Sequence, residues 1–192
     1  MLDSPLSAIP WAALDFEGAG ELPGYTDVPI QVGLVQATGI EPPLAVRQFR
    51  SFIAAHRPVA LAARRVHGIT DRDLTDAPEL ASLWPELKAR LGDHVVVAHN
   101  ASVEKRYLRA FPGHGFGPWV DTLTLTRRLY PNLESHRLGD LVAAFGLTPA
   151  LDALCPQLAW HDALYDAAAS LLVLQHTIRA AGLQEKPLRI LF

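Results

Sequence analysis

The apolar positions of the chain fall into two patterns, which together predict a layered α/β domain. Short apolar runs, typical of buried strands, occupy residues 11–16, 30–37, 48–53 and 95–98. Segments with helical character, most of them longer, cover residues 58–63, 78–91, 102–111, 120–129, 138–145 and 163–181. The early strands are joined by turns and the later ones alternate with helices. We therefore expect a mixed sheet flanked by helices, in one domain spanning residues 1–192.

Length and composition suit a folded domain with its own core. Of 192 residues, 49% are hydrophobic and 19% are charged. The first ten residues carry Asp3 and no basic side chain, which is unlike a secretory signal, and no apolar run approaches the roughly 20 residues of a membrane span. We expect a cytoplasmic protein with no membrane partner. Cys155, the single cysteine, excludes an internal disulfide and a thiolate metal site.

Positive charge is concentrated in one part of the chain, although the formal net charge is −3. No acid occurs between Glu41 and Asp71, and this cationic segment, residues 42–70, contains Arg47, Arg50, Arg57, Arg64 and Arg65. A solvated surface is the ordinary interpretation of scattered arginines. Five of them without an opposing acid are harder to explain in that way.

Two carboxylates mark the end of the first predicted strand. Asp15 and Glu17 are two residues apart, so their side chains leave the same face, and Gly18-Ala19-Gly20 should place them at an open strand end. Glu104 comes directly after another buried strand, in the first turn of a helix that Asn100 or Ser102 could cap. The helix dipole favours an acid there whatever its function.

His161 and Asp166 form a third candidate group near the last helix. They are five residues apart, about 140° around an ideal helix, so they would not share a face if both were helical. If Asp162 is the N-cap, Asp166 lies one turn into the helix and His161 lies before it. Taken alone, each of the three groups also has an ordinary structural explanation.

Taken together, these residues predict a site for divalent cations. Four gathered acids would repel and raise one another's pKa unless cations neutralised them. Oxygen ligands suit two Mg²⁺ or Mn²⁺ ions rather than zinc, and such a pair about 3.5 to 4 Å apart can clamp a phosphodiester. His161 would then take the proton from the attacking water. The predicted metal ligands are Asp15, Glu17, Glu104 and Asp166.

The same residues resemble the motifs of the DEDDh 3′–5′ exonucleases, the group that contains the proofreading subunit of bacterial replicative polymerase, RNase T and oligoribonuclease. Residues 14–17 (LDFE) are similar to the first motif, residues 97–104 (VAHNASVE) to the second and residues 161–167 (HDALYDA) to the third. The connecting segments at 66–70, 119–123 and 136–147 agree as well.

This resemblance implies an RNase H-like fold with a mixed five-stranded sheet, and a two-metal exonuclease acting at the 3′ end of single-stranded DNA or RNA. It implies that Asp15 bridges both ions, that Glu17 and Asp166 hold the first, and that His161 is the general base. Glu104 aligns with the remaining metal ligand. The implied substrate-binding residues are Phe16, Gly18, His67, Gly68, Ile69 and Asn100.

Two departures from the family pattern leave a second interpretation open. Glu104 stands where the family has Asp, and Gly18-Ala19-Gly20 replaces two threonines and a glycine, so hydroxyl contacts to the substrate end would be missing. A nucleic-acid-binding module of this fold with weakened or lost catalysis is the alternative. A histidine-aspartate metal phosphohydrolase, suggested by His161-Asp162, would need further histidines at a metal-binding spacing, which the sequence lacks.

The C-terminal residues 187–192 faintly resemble the short apolar peptides that dock on sliding clamps. Such a segment more often packs on its own domain. A sliding clamp or a polymerase complex is thus a candidate partner without further support in the sequence.

Overall fold

A mixed sheet lies at the centre of the computed structural model, which describes residues 1–41 and 46–192. Its five strands stand in the order β3-β2-β1-β4-β5. β1 pairs antiparallel with β2, β2 pairs antiparallel with β3, and β4 and β5 run parallel to β1. The strands are β1 (Pro10–Gly18), β2 (Pro29–Thr38), β3 (Arg47–Phe52), β4 (Val95–Ala98) and β5 (Trp119–Asp121). The predicted mixed five-stranded sheet is confirmed.

Helices flank the sheet on both faces. In the described part of the chain they are α1 (Leu61–His67), α2 (Trp84–Leu91), α3 (Ser102–Leu108), α4 (Thr122–Leu129), α5 (Leu138–Ala144), α6 (Thr148–Leu154) and α7 (Ala163–Ala180). The long helix α7 packs against β1 and β2, with α4, α5 and α6 around it. Buried residues of α2 and α3 pack on the opposite face. None of the described helices is long and apolar enough to span a bilayer.

The alternation of side chains along β1 explains these two layers. Trp11 and Ala13 belong to the core under α7, whereas Leu14 and Phe16 belong to the core shared with α2 and α3. The face that carries Trp11 and Ala13 continues to Asp15 and Glu17. The two acids therefore leave the strand on the α7 side, beyond the end of the apolar core.

Gly33 brings α7 close to these acids. It pairs with Asp15 in the β1–β2 ladder, and a Cβ added at this position would lie 2.1 Å from backbone atoms of Ala163 and Leu164. Only a residue without a side chain lets the first turn of α7 touch β2 here.

Several predicted helix bounds were wrong. Residues 120–121 belong to β5, and α4 begins at Thr122 because the Asp121 side chain caps it. The helix predicted at 58–63 lies at 61–67 instead, since Ala60 is extended and its N–H bonds to the carbonyl of Ala19. Residues 80–83 form a 3₁₀ turn before α2, and α6 was not predicted.

The C-terminal segment packs on its own domain. Leu188 is fully buried and Leu191 is nearly so, both in the core that also contains Leu6. The Leu188 N–H donates to the carbonyl of Ser4 at 2.9 Å. This packing favours the structural explanation of residues 187–192 over clamp docking.

We predict that Gly33→Ala destabilises the protein by about 1 to 3 kcal/mol, because the new methyl group would overlap the backbone of α7. Denaturant unfolding would measure the change. Gly139→Ala is the matched control, since its Cβ would meet the Trp160 ring at an ordinary 3.6 Å, and alanine is favoured within helix α5. Equal stability of the two variants would contradict the proposed role of Gly33.

Candidate active site

The first turn of α7 presents two predicted site residues to β1. Asp162 caps the helix, and its carboxylate accepts a hydrogen bond from the Leu164 N–H at 3.1 Å. The predicted cap is therefore confirmed, and Asp166 lies one turn into the helix. His161 precedes the cap with a left-handed backbone, φ 68°, and its N–H donates to Asp166 Oδ2 at 3.3 Å.

Glu17, His161 and Asp166 come together in space. Each offers one potential ligand atom, and these three atoms all lie within 4.8 Å of one another. Asp15 lies beside the group: burial raises its pKa well above the usual value, and repulsion from Glu104, Asp166 and Glu17 adds to the effect. Folding therefore gathers residues that the sequence separates by about 150 positions.

Glu104 approaches the site from α3. It is 2% exposed, and its Oε2 atom has no hydrogen-bond partner among the described residues. Burial raises the pKa of Glu104 to about 8, with a further contribution from repulsion by Asp121. A buried, unpaired carboxylate oxygen is costly unless a cation or a proton satisfies it.

Asp121 orients the turn that leads to Glu104. Its carboxylate accepts hydrogen bonds from the backbone N–H groups of Asn100 at 3.0 Å and Ala101 at 3.1 Å, while also capping α4. The prediction that Asn100 or Ser102 caps α3 was wrong, because no side chain caps this helix and the Ser102 hydroxyl bonds to the Asn100 side chain.

None of the four acids of the site forms an ion pair with a basic side chain among the described residues. Burial, followed by repulsion from Asp166, raises the pKa of Glu17 to about 8. Burial also raises the pKa of Asp166 to about 7, and its Oδ1 atom, like Oε2 of Glu104, lacks a hydrogen-bond partner in the described chain. Carboxylate oxygens that lack a hydrogen-bond partner are suitable ligands for a divalent cation such as Mg²⁺ or Mn²⁺. Asp15, Glu17, Glu104 and Asp166 are the residues that could hold it.

A hydrogen-bonded anchor, formed by Gln31, Arg50 and Asp162, fixes the start of α7. Gln31 is 1% exposed; its Nε2 donates to Asp162 at 3.1 Å, and its Oε1 accepts from the Ala163 N–H at 2.8 Å. Arg50 Nε donates to the same carboxylate at 2.8 Å. This anchor was not predicted, although Gln31 is a polar residue near the start of a mainly apolar strand and pairs with Glu17.

The predicted substrate-binding residues differ in accessibility. Phe16 and Ile69 are 5% and 7% exposed, so their side chains are buried. Asn100 is exposed, and Gly68 ends α1 in a left-handed conformation, φ 76°. An added Cβ at Gly18 would lie 2.3 Å from the Tyr107 hydroxyl oxygen.

His67 joins α1 to the end of β1. Its Nδ1 accepts from the Ile69 N–H at 3.0 Å, which leaves Nε2 to carry the proton and donate to the Gly18 carbonyl at 3.2 Å. Burial lowers the pKa of His67. The neutral ring thus holds the loop after β1 against α1.

The sheet and its acidic site define a nuclease of the RNase H-like class. The exonuclease family model named for RNase T matches residues 12–174, and the chain belongs to this family, with the motifs of the DEDDh 3′–5′ exonucleases. Enzymes of this type use divalent metal ions.

Similar proteins support the same assignment. A PolC-type DNA polymerase III of Bacillus cereus is 33% identical over 165 residues, which are 83% of this chain and 11% of that protein. A DNA polymerase III subunit epsilon-like protein of Rhodobacter capsulatus is 28% identical over 190 residues, covering 95% of this chain and 26% of that protein. The chain therefore spans a small part of the length of these curated relatives.

Solved structures show the same fold. Exonuclease X in complex with 5′-overhanging duplex DNA has a TM-score of 0.71 and 26% identity, covering 92% of this chain and 97% of that one. The nuclease domain of 3′hExo, a DEDDh family member bound to rAMP, has a TM-score of 0.70 and 14% identity, with 94% and 96% covered. The predicted RNase H-like fold is confirmed.

We predict that the metal-free protein loses stability as the pH rises. The pKa of Glu104 is raised from 4.5, the value expected in an unfolded chain, to about 8 in the folded protein. The folded state therefore binds more protons than the unfolded state between these values, and the free energy of unfolding falls across this window. Thermal unfolding in EDTA between pH 5 and pH 8 would measure the loss, which is on the order of a few kcal/mol.

Glu104→Gln should flatten this pH dependence, because it removes one of the titrating buried acids. Glu185→Gln, at an exposed carboxylate, is the control and should leave the slope unchanged. A pH-independent melting temperature in the unsubstituted protein would contradict the prediction.

Proposed function

We propose that this chain is a metal-dependent 3′–5′ exonuclease that hydrolyses phosphodiester bonds at the 3′ end of single-stranded nucleic acid. The convergence of Glu17, His161 and Asp166 within 4.8 Å, in a chain of the exonuclease family, is the observation that carries this proposal. The unpaired carboxylate oxygens of Asp166 and Glu104 support it, because they need a cation or a proton. We also propose that residues 1–192 act as a single exonuclease domain.

The four carboxylates would form two overlapping sets of metal ligands that share Asp15. Asp15, Glu17 and Asp166 would hold one ion, and Asp15 with Glu104 would hold the other. Two Mg²⁺ or Mn²⁺ ions bound there would supply activation of the attacking water and stabilisation of the leaving 3′-oxygen. Glu104 is one methylene longer than the aspartate of the family motif. It lies in the first turn of α3, so its carboxylate reaches further from the helix backbone than that of an aspartate would.

His161 would act as the general base. Its imidazole takes a proton from the attacking water as the new P–O bond forms and the bond from phosphorus to the 3′-oxygen breaks. The leaving oxygen takes a proton from solvent, and the products are a nucleoside 5′-monophosphate and a strand shortened by one residue. The left-handed backbone of His161 and its N–H bond to Asp166 hold the ring beside the carboxylates.

Three backbone groups at the end of β1 and the start of the following loop are bonded within the protein. The Gly18 carbonyl accepts from His67, the Ala19 N–H donates to the Val28 carbonyl and the Gly20 N–H donates to Asp27. The two threonines of the family pattern are also absent. Of the predicted substrate-binding residues, Gly68 and Asn100 are exposed. A further surface of the domain would therefore add to their contacts with the substrate.

A catalytically weakened nucleic-acid-binding module is the second candidate function, favoured by Glu104 in place of the family's aspartate. Degradation assays on single-stranded DNA and short RNA with Mg²⁺ and Mn²⁺ separate the two candidates. Binding without degradation, together with degradation gained by Glu104→Asp, would establish the weakened module.

The names of the relatives place similar domains in DNA polymerase III proteins, which makes a polymerase complex a candidate partner. The buried positions of Leu188 and Leu191 do not favour clamp docking through residues 187–192.

We predict that Asp15→Asn and Asp166→Asn abolish turnover, because each removes a charged metal ligand. Both should also raise the melting temperature in EDTA, since each relieves repulsion among the acids. His161→Ala should lower kcat by about 10²- to 10⁴-fold, the scale expected for a lost general base. Release of mononucleotides from a labelled strand measures turnover, and a normal rate in any variant would refute the role given to that residue.

We predict that Gln31→Leu lowers kcat by about 10-fold or more, because the first turn of α7 loses its anchor and the Asp162 carboxylate loses a donor. Gln36→Leu is the matched control: it lies in the same strand and also loses side-chain hydrogen bonds, but at the opposite end of the sheet. Both variants should lose about 1 to 3 kcal/mol of stability. An equal kcat in the two would refute a positioning role for Gln31.

A further inference from the structure

The structure separates the five arginines of the cationic segment into different environments. Arg50 pairs with Asp162, and Arg57 is 8% exposed and donates to the carbonyl oxygens of Thr26 and Pro58. Arg47 pairs with Gln36 in the sheet, at the end opposite to Glu17. Arg64 and Arg65 remain, both exposed on α1 and without an ion pair or side-chain hydrogen bond among the described residues.

Helix α1 lies next to the candidate active site. It ends at His67, whose ring donates to the carbonyl of Gly18 at the end of β1. Its N-terminal part lies against the loop after β1, because a Cβ added at Gly20 would lie 2.8 Å from the Ala63 side chain. Arg64 and Arg65 are therefore one turn or less from a residue that contacts the strand carrying Asp15 and Glu17.

The exposed surface of α1 is also unusually apolar. Leu61 and Val66 are 60% and 55% exposed, and none of the residues of α1 is buried. Leu61 and Arg65 are four residues apart and so share a face. Packing within the domain does not explain aliphatic side chains that point to solvent beside two unpaired cations.

We propose that this α1 surface, formed by Leu61, Arg64 and Arg65, holds the substrate strand on the 5′ side of the scissile linkage. The two arginines bind backbone phosphates, and the Leu61 side chain contacts sugars and base faces. This inference rests on the proposed exonuclease function. It supplies substrate contacts in addition to those of residues 18–20, where three backbone groups are bonded within the protein.

The two kinds of contact differ in their response to salt. Binding of single strands weakens with salt by a logarithmic slope of about 0.7 for each neutralised phosphate, because counterions are released. Removal of both arginines should therefore make the slope shallower by about 1.4. Removal of the Leu61 side chain should weaken binding equally at all salt concentrations.

The test compares Arg64→Gln/Arg65→Gln with the control Arg47→Gln/Lys88→Gln. Both double variants change the net charge by −2 at exposed positions, and the control residues lie away from α1, on β3 and α2. Hydrolysis of a single strand of about 20 nucleotides is measured between about 50 and 250 mM NaCl. We expect the α1 variant to lose about 10-fold in kcat/KM at low salt through KM, with the shallower slope, while the control follows the unsubstituted protein. Identical behaviour of the two double variants would overturn the proposal.

A small substrate separates this inference from the proposed function. The p-nitrophenyl ester of a nucleoside 5′-monophosphate has a scissile bond but no upstream strand, so the α1 variant should hydrolyse it at the unsubstituted rate. No hydrolysis of either substrate by the unsubstituted protein would refute the exonuclease function itself. Equal losses on both substrates would refute the α1 surface alone.

Leu61→Ser tests the apolar half of the surface and should raise KM for the strand by a factor that does not change with salt. An unchanged KM would remove the aliphatic contact from the proposal. Unchanged strand hydrolysis by the arginine variant, combined with lost binding to anionic phospholipid vesicles, would assign the surface to a membrane instead and overturn the proposal.

Discussion

The close contact between β2 and the first turn of α7 is the constraint on which the candidate site depends. Gly33 leaves room for the backbone of Ala163, and the anchor of Gln31, Arg50 and Asp162 fixes the helix in that position. The glycine alone would only permit the approach, whereas the hydrogen bonds determine its geometry. Asp166 and His161 thereby face Asp15 and Glu17, although the two pairs lie at opposite ends of the sequence.

The same contact gathers carboxyl groups that the fold does not pair with a basic side chain among the described residues. The Asp162 carboxylate accepts hydrogen bonds from Gln31, Arg50 and the Leu164 N–H, but the neighbouring Asp166 keeps an unpaired oxygen. Burial and mutual repulsion raise the pKa of the site carboxyls, which means that their ionised forms oppose folding. Two apolar cores, one on each face of the sheet, stabilise the domain against this local cost. Such an arrangement is expected of a cation-binding site and would be unfavourable as a purely structural one.

The sequence was sufficient to predict the features that depend on local pattern. The alternation in β1 placed Asp15 and Glu17 on one face, and the cap at Asp162 placed Asp166 one turn into α7, as the structure has them. Contacts between distant segments were not predictable in this way. Asp121, rather than Asn100 or Ser102, organises the start of α3, because its carboxylate reaches across from β5. The short strand β5 was not predicted, because the residues after it have a helical pattern. The surroundings of each arginine were not predictable either, because they depend on residues that are distant in the sequence.

One feature far from the site bears on how this domain can be used. Residues near the two ends run side by side: Leu6 N–H donates to Lys186 O, Leu188 N–H to Ser4 O and Arg189 N–H to Leu2 O. A polypeptide that enters the domain here also leaves it here. The two ends of this domain therefore lie together near the start of β1, whereas Asp15 and Glu17 lie near its other end.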